Sequence, residues 1–292
     1  MQTPWGDLRV NDAHVHFFSH KFFQTLVAQA AELPSIQDKV GWTLPPVDPA
    51  RLAEKWATEL NTCGVGCASL IASTPGDESS VLAAAAAYPN RFFAYAMVNP
   101  TAANAAVAPG LKAVCLFPAM HRYSLHDTRV ENVIEAAAAQ GSAVFVHCGV
   151  LTVGIRRKLG LPSPFDMRFS NPLELHAIAL KYPRTPFVVP HFGAGYLREA
   201  LMLADLCPNV YLDTSSSNSW MRYEGLDLKT VFQRALDILG PTRLLFGTDS
   251  SFFPRGWHSA VFEEQSGVLA KMGVSAADAQ LILGENLERL FT

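Results

Sequence analysis

Charge is scarce in this chain. Of 292 residues only 17% are Asp, Glu, Lys or Arg, and 23 basic against 26 acidic residues leave a formal net charge of -3. No basic excess marks a nucleic-acid or anionic membrane surface, so neither is expected as a partner. The five cysteines (Cys63, Cys67, Cys115, Cys148, Cys207) are odd in number and show no CxxC spacing. Cys63 and Cys67 have no second Cys/His pair to complete a zinc knuckle, so reduced thiols in a cytoplasmic protein are expected. No apolar run approaches the roughly 18 residues that span a bilayer. The opening MQTPWGDLRVNDAHVHF lacks the basic-then-apolar pattern of a secretion signal. No repeat or Gly/Ser/Pro-rich linker divides the chain, which predicts one domain over 1–292. Hydrophobic residues, by contrast, make up 49% of the chain, and mean hydropathy is +0.14. That excludes disorder and allows a large core.

The apolar residues fall in short runs separated by amphipathic stretches. The runs Arg9–His16, Cys67–Ala72, Phe92–Val98, Ala113–Phe117, Ala143–Cys148, Pro186–His191, Val210–Thr214 and Leu244–Asp249 are apolar almost throughout. Such continuity marks strands buried on both faces, as in parallel sheets. Helices are predicted over Pro49–Leu60, Asp77–Tyr88, Thr128–Gln140, Pro172–Lys181, Tyr196–Leu206, Leu228–Leu239 and Ser259–Met272, with two short closing helices, Ser275–Leu283 and Glu285–Phe291. Eight strands, each followed by a helix, give about 36 residues per unit, the size of an α/β fold of the (β/α)8 TIM-barrel kind. The longest irregular piece, Gly149–Asn171, carries Arg156, Arg157, Lys158 and Arg168. It reads either as a lid over an anionic substrate or as a solvated charge run.

In such a barrel, chemistry collects at the C-terminal ends of the strands. Strand one ends Asp12-Ala-His14-Val-His16, strand five in His147, strand six in His191, and strand eight in Asp249. Residues i and i+2 of a strand share a face, so His14 and His16 point the same way. Imidazoles and a carboxylate converging on one mouth are the donor set of a transition-metal site. Asp12 shares their predicted parity and reads either as an acceptor for an imidazole N–H or as a turn-capping carboxylate.

The ordered set of DAHVHF, VFVHCG, VVPHFGAG, RLLFGTDSSF and GENLERLF resembles the amidohydrolase superfamily, most closely its amidohydrolase-2 branch, from Asp12 to Phe291. That branch includes metal-dependent decarboxylases as well as hydrolases. The resemblance implies one divalent ion, zinc first and manganese second, held by His14, His16, His147 and Asp249, with His191 beside it as a catalytic imidazole. Lys112 stands at the wrong end of strand four to bridge two ions, and Cys115 and Phe117 occupy its tip, which favours a single ion. A metal so bound lowers the pKa of water toward ~7. Asp249 would take the water's proton and return it to the leaving group, and His191 would polarise the substrate carbonyl. The expected reaction is hydrolysis of a small amide, ester or lactone. The alternative is decarboxylation of an unsaturated or aromatic acid.

Substrate contacts are expected from His121 and Arg122 after strand four, from Arg255 after strand eight, and from Trp220, with Arg222, after strand seven. An Arg122 clamp on a substrate carboxylate and an ordinary exposed loop fit that sequence equally. The resemblance also implies a homodimer.

Overall fold

Eight parallel strands close into a barrel in this computed structural model, which describes residues 1–29 and 36–291. They are β1 (Val10–Phe17), β2 (Val65–Ala72), β3 (Phe92–Met97), β4 (Ala113–Leu116), β5 (Ala143–Val146), β6 (Phe187–Val189), β7 (Val210–Asp213) and β8 (Leu244–Leu245). Each pairs in parallel with the next along the chain, from β1 to β8. The seam between β8 and β1 is closed by backbone bonds just past the end of β8. Ala13 N–H donates to the Phe246 carbonyl at 2.8 Å, His16 N–H to Ser250 at 2.7 Å, and Asp249 N–H to His14 at 3.0 Å. The seam thus sets the tips of β1 and β8 side by side.

The strands are apolar on both faces because both faces are covered. Tyr95, Cys115, Phe145 and Val188 fill the barrel interior, while their neighbours Ala94, Val114, Val144 and Val189 join the layer under the helices. The thiol of Cys115 is buried there as a small hydrophobe, and burial pushes its pKa well up. No disulfide joins any of the five cysteines.

Among the described residues the α-helices of six residues or more are α1 (His20–Val27), α2 (Pro49–Cys63), α3 (Glu78–Ala87), α4 (Thr128–Ala139), α5 (His176–Lys181), α6 (Leu197–Leu206), α7 (Leu228–Leu239) and α8 (Ser259–Lys271). Helix α2 starts and stops as its sequence dictates. Asp48 accepts the Ala50 N–H at 2.9 Å, Pro49 opens the first turn, and Gly64 ends the helix at φ 73°. None of the described helices is long and apolar enough to cross a membrane.

Three expectations change. The crossover from β3 to β4 contains no helix; Pro100 and Pro109-Gly110 bracket a stretch of turns. The closing segment is one helical run, Ala276–Gln280, a π turn over Leu281–Glu285, then Asn286–Arg289. The long piece after β5 is partly ordered as a short helix, Gly154–Lys158. Its Ile155 and Leu159 pack with Phe22, Phe23 and Leu26 of α1 and with Trp42, so an apolar cluster stands over the barrel mouth.

Candidate metal centre and active site

Register places the first two imidazoles. Along β1 and β2, Asp12 pairs with Ala68 but Val15 with Leu70, three steps against two. The extra residue is a bulge, which breaks strict alternation. His14 and His16 face the cavity at the barrel mouth. Asp12 does not share their direction. Its Oδ1 accepts the backbone N–H groups of His14 (2.9 Å) and Thr248 (3.1 Å), and its Oδ2 accepts Thr248 Oγ1 (2.5 Å) and Trp257 Nε1 (2.7 Å). Burial lifts this carboxyl to about 6 against the pull of those bonds. Asp12 therefore ties the β8–β1 seam and accepts from no imidazole.

The imidazole acceptor is Asp213, the last residue of β7, which the sequence reading did not single out. Its Oδ2 lies 2.7 Å from His14 Nδ1, and both groups are buried. The overlooked signal was a polar tip on an apolar strand, the one that exposed His147 and Asp249. Burial pulls the His14 pKa down, but the charge and hydrogen bond of Asp213 outweigh it and hold the ring above its ordinary value. His16 Nδ1 lies 2.7 Å from Ser73 Oγ, and burial holds this ring below its ordinary value.

With both Nδ1 atoms engaged, the two Nε2 atoms face each other at 3.3 Å. Asp249 Oδ1 lies 3.2 Å from His16 Nε2 and 3.8 Å from His14 Nε2. Burial would raise the Asp249 carboxyl, but the hydrogen bond and charge of His16, with His14 and His191, hold it well below the usual carboxylate range. His14, His16 and Asp249 each offer one donor atom within 4.8 Å of the others. Zinc–nitrogen bonds of about 2.0–2.1 Å in a tetrahedral site put two ligand nitrogens about 3.3 Å apart. The donor set therefore fits a divalent ion.

His147 and His191 complete the floor. Their rings lie 5.3 Å apart, and the His14 ring is 5.0 Å from that of His191. His147 stands outside the tight three-residue cluster, and its buried Nδ1 has no hydrogen-bond partner among the described residues. Burial, reinforced by His191 and His14, pushes its pKa well down. His191 Nδ1 lies 3.1 Å from the Ser215 carbonyl and 2.9 Å from its Oγ. His191 and Asp249 both have left-handed backbone, at φ 56° and 60°. Such conformations are uncommon outside glycine and concentrate at functional sites.

Two glycines make room for this floor. A Cβ on Gly247 would stand 2.9 Å from the Cβ atoms of His14 and Ser215. A Cβ on Gly149, at φ 72°, would stand 2.2 Å from the carbonyl oxygens of Gly193 and Ala194, in the turn that carries His191. Gly149→Ala is expected to cost about 2–3 kcal/mol through that clash and the positive φ. Thermal or urea unfolding checks it; an unchanged midpoint would show that the turn yields freely.

A cavity of about 670 Å³ opens above the three-ligand cluster. Phe18, Phe22, Trp42, Phe117 and Phe252 line it with aromatic surface, and Arg156, Lys158 and Arg255 bring positive charge. Trp42 stacks on Phe252 with centroids 4.1 Å apart, and the Arg255 guanidinium lies over the same Phe252 ring at 4.5 Å. Arg255 Nη2 also donates to the Asp249 carbonyl at 3.2 Å. His121 lines the cavity, with burial pulling its pKa down to about 4.

Two expected substrate contacts are not in the cavity wall. Arg122 is exposed and donates to the Pro164 carbonyl at 2.8 Å, so it braces a loop. Its turn away follows from φ 59° at the end of a short helix, Pro118–His121. Trp220 is buried in the layer under the helices, with Nε1 donating to Asn218 Oδ1 at 3.0 Å. Arg222 pairs with Tyr223 on the surface. In the segment after β5, Arg156 donates to the Pro162 carbonyl and to Gln29 Oε1, while Arg168 pairs with Asp166.

Several known proteins share this architecture. A probable 2-pyrone-4,6-dicarboxylic acid hydrolase from Acinetobacter baumannii, with citric acid bound, aligns at a TM-score of 0.61 and 15% identity over 97% of this chain and 99% of its own. An amidohydrolase from Burkholderia multivorans with bound zinc aligns at 0.60 and 16%, over 97% and 99%. A dihydroxybenzoic acid decarboxylase from Polaromonas, with manganese and the inhibitor 2-nitroresorcinol, aligns at 0.59 and 14%, over 98% and 97%. At such identities the likeness concerns the fold. Among curated proteins, Protein fluG of Emericella nidulans is 38% identical over 85 residues, 29% of this chain and a tenth (10%) of that protein. The amidohydrolase family model matches residues 12–292, from the first aspartate of the HxH strand to the end. The chain belongs to the amidohydrolase family.

Proposed function

We propose that the chain is a metal-dependent hydrolase of a small carbonyl substrate, an amide, ester or lactone that bears a carboxylate. One divalent ion, zinc first and manganese second, would be held by His14, His16, His147 and Asp249. The observation that carries this reading is the convergence of two imidazole Nε2 atoms and a carboxylate oxygen under the cavity, with each imidazole's Nδ1 already engaged. When bound, the ion supplies Lewis-acid polarisation and acidifies water. Asp249, kept ionised, receives the attacking water's proton and passes it to the leaving group. His191 is anchored at Nδ1 by Ser215, which leaves Nε2 as its exchangeable nitrogen toward the substrate. Arg255 and His121 bind the substrate carboxylate, and the aromatic wall excludes water from it.

A second reading, decarboxylation of an aromatic acid, is favoured by the stacked Phe18, Trp42 and Phe252 rings, which suit a flat ring. The two readings share their ligands and separate by product. When lactones, amides and aromatic acids are offered to the metal-loaded protein, the lactones or amides should be hydrolysed, with carbon dioxide release from the acids followed separately. Carbon dioxide release alone would replace the first reading by the second. Elemental analysis should find about one divalent ion per chain, and failure to bind zinc or manganese would overturn both.

The cavity wall gives a further prediction. Arg255→Ala should raise KM for a carboxylated substrate about tenfold or more, the worth of a charge-assisted hydrogen bond. Arg122→Ala should leave KM within about twofold, since its guanidinium serves a loop carbonyl. Steady-state kinetics checks the pair, and the reverse ranking would move the carboxylate subsite to Arg122. The free cysteines fit a cytoplasmic enzyme, and light scattering tests the homodimer.

A further inference from the structure

We propose that Ser73 is a positioning residue for His16: its hydroxyl holds the proton on His16 Nδ1 and so keeps Nε2 bare for the metal. The inference rests on the metal-site reading above, although its first step does not need a metal.

Ser73 follows Ala72 at the tip of β2, and the register that pairs His16 with Ile71 and Phe17 with Ala72 brings it beside His16. Its Oγ has two partners. It donates to the Ile71 carbonyl at 3.1 Å and lies 2.7 Å from His16 Nδ1. A hydroxyl has one hydrogen. The carbonyl can only accept, so the one arrangement that makes both hydrogen bonds has Ser73 donating to Ile71 and Oγ accepting from His16. The neutral ring therefore carries its proton on Nδ1, and Nε2 is a lone pair.

The alternative tautomer has a use of its own. A proton on His16 Nε2 would point at Asp249 Oδ1, 3.2 Å away, and form a charge-assisted hydrogen bond. That bond would occupy two of the proposed ligands with each other. Ser73 biases His16 against it. His14 needs no such help, because Asp213 fixes its Nδ1. Two different devices thus leave two lone pairs facing one point. Fixing a ligand imidazole through its second nitrogen commonly changes metal affinity 10–100-fold.

The test uses the full chain with 15N-labelled histidine and two variants, Ser73→Ala and Ser73→Thr. Long-range 1H–15N spectra of the metal-free protein, assigned by loss of signal in His16→Gln, read the tautomer directly. The expected result is Nδ1–H in the parent and in Ser73→Thr, with a shift toward Nε2–H in Ser73→Ala. Competition with a chromogenic chelator reads zinc binding. Ser73→Ala should bind zinc 10–100-fold more weakly, and Ser73→Thr should bind within about threefold of the parent. A parent His16 already in the Nε2–H form, or an unchanged zinc affinity in Ser73→Ala, would overturn the proposal. A parent that binds no zinc would instead overturn the metal reading, and the spectra would still decide what Ser73 does to His16.

Discussion

Asp249→Asn should lower turnover by about 10³-fold or more while the protein stays folded and keeps part of its metal. A positioned acid–base group contributes roughly 10²–10⁴-fold, and asparagine cannot take the proton. The substitution is chosen for its backbone as well as its chemistry. Asp249 sits at φ 60°, a conformation that Asn tolerates nearly as well as Asp and that most other residues resist. The amide oxygen keeps the shape of Oδ1 near His16, so the two imidazoles and His147 still have an oxygen donor beside them. The lost negative charge weakens the ion's hold. Metal content and turnover therefore have to be measured on the same sample. Turnover within tenfold of the parent, at matched metal content, would remove Asp249 from the proton path. Loss of turnover together with all the metal would make it a ligand first.

The histidine and aspartate tips were legible because each interrupts an apolar strand at the end where a barrel places its chemistry. His14 and His16 needed only their spacing of two. Asp213 carries the same signal at the end of Val-Tyr-Leu-Asp, yet its role appears only when closure of the barrel sets β7 two strands from β1, beyond β8, and brings Asp213 to His14. For Asp12 the capping alternative holds, since it accepts the His14 backbone N–H, while its shared parity with the histidines fails for a local reason. Strict alternation puts it with His14 and His16, and the bulge after it breaks the alternation. No composition rule marks that bulge. The arginines were the least legible residues. Arg122 and Arg255 lie in similar loops after strands, and a left-handed turn at one of them sends its side chain to a loop carbonyl. The missing helix between β3 and β4 has a plainer cause, since prolines at both ends leave too little chain for a capped helix and its turns. Strand β8 ends early at Leu245, where the next N–H, on Phe246, donates to the Ile282 carbonyl, and Gly247 then passes close between His14 and Ser215.

Asp12→Ala is expected to cost about 3–5 kcal/mol in stability. Alanine removes every acceptor from three buried N–H donors, on His14, Thr248 and Trp257, and each orphaned donor costs about 1–3 kcal/mol before relaxation. The Thr248 hydroxyl is less exposed to the loss, because it can turn to Ser250 Oγ at 2.5 Å. Asp12→Asn should cost less. Its carbonyl oxygen still serves the two backbone N–H groups, and its amide then meets the Trp257 N–H donor to donor. Urea unfolding of the two variants should rank them Ala below Asn below the parent; equal midpoints would mean that water or a shifted backbone satisfies the seam. The seam joins the tips of β1 and β8, so the same variants test how the fold supports the site. If Asp12 only stabilises, Asp12→Asn should bind zinc like the parent wherever it is folded. A weaker zinc affinity in the folded Asn variant would mean that the carboxylate, through the backbone of His14 and Thr248, also sets the distance between His16 and Asp249.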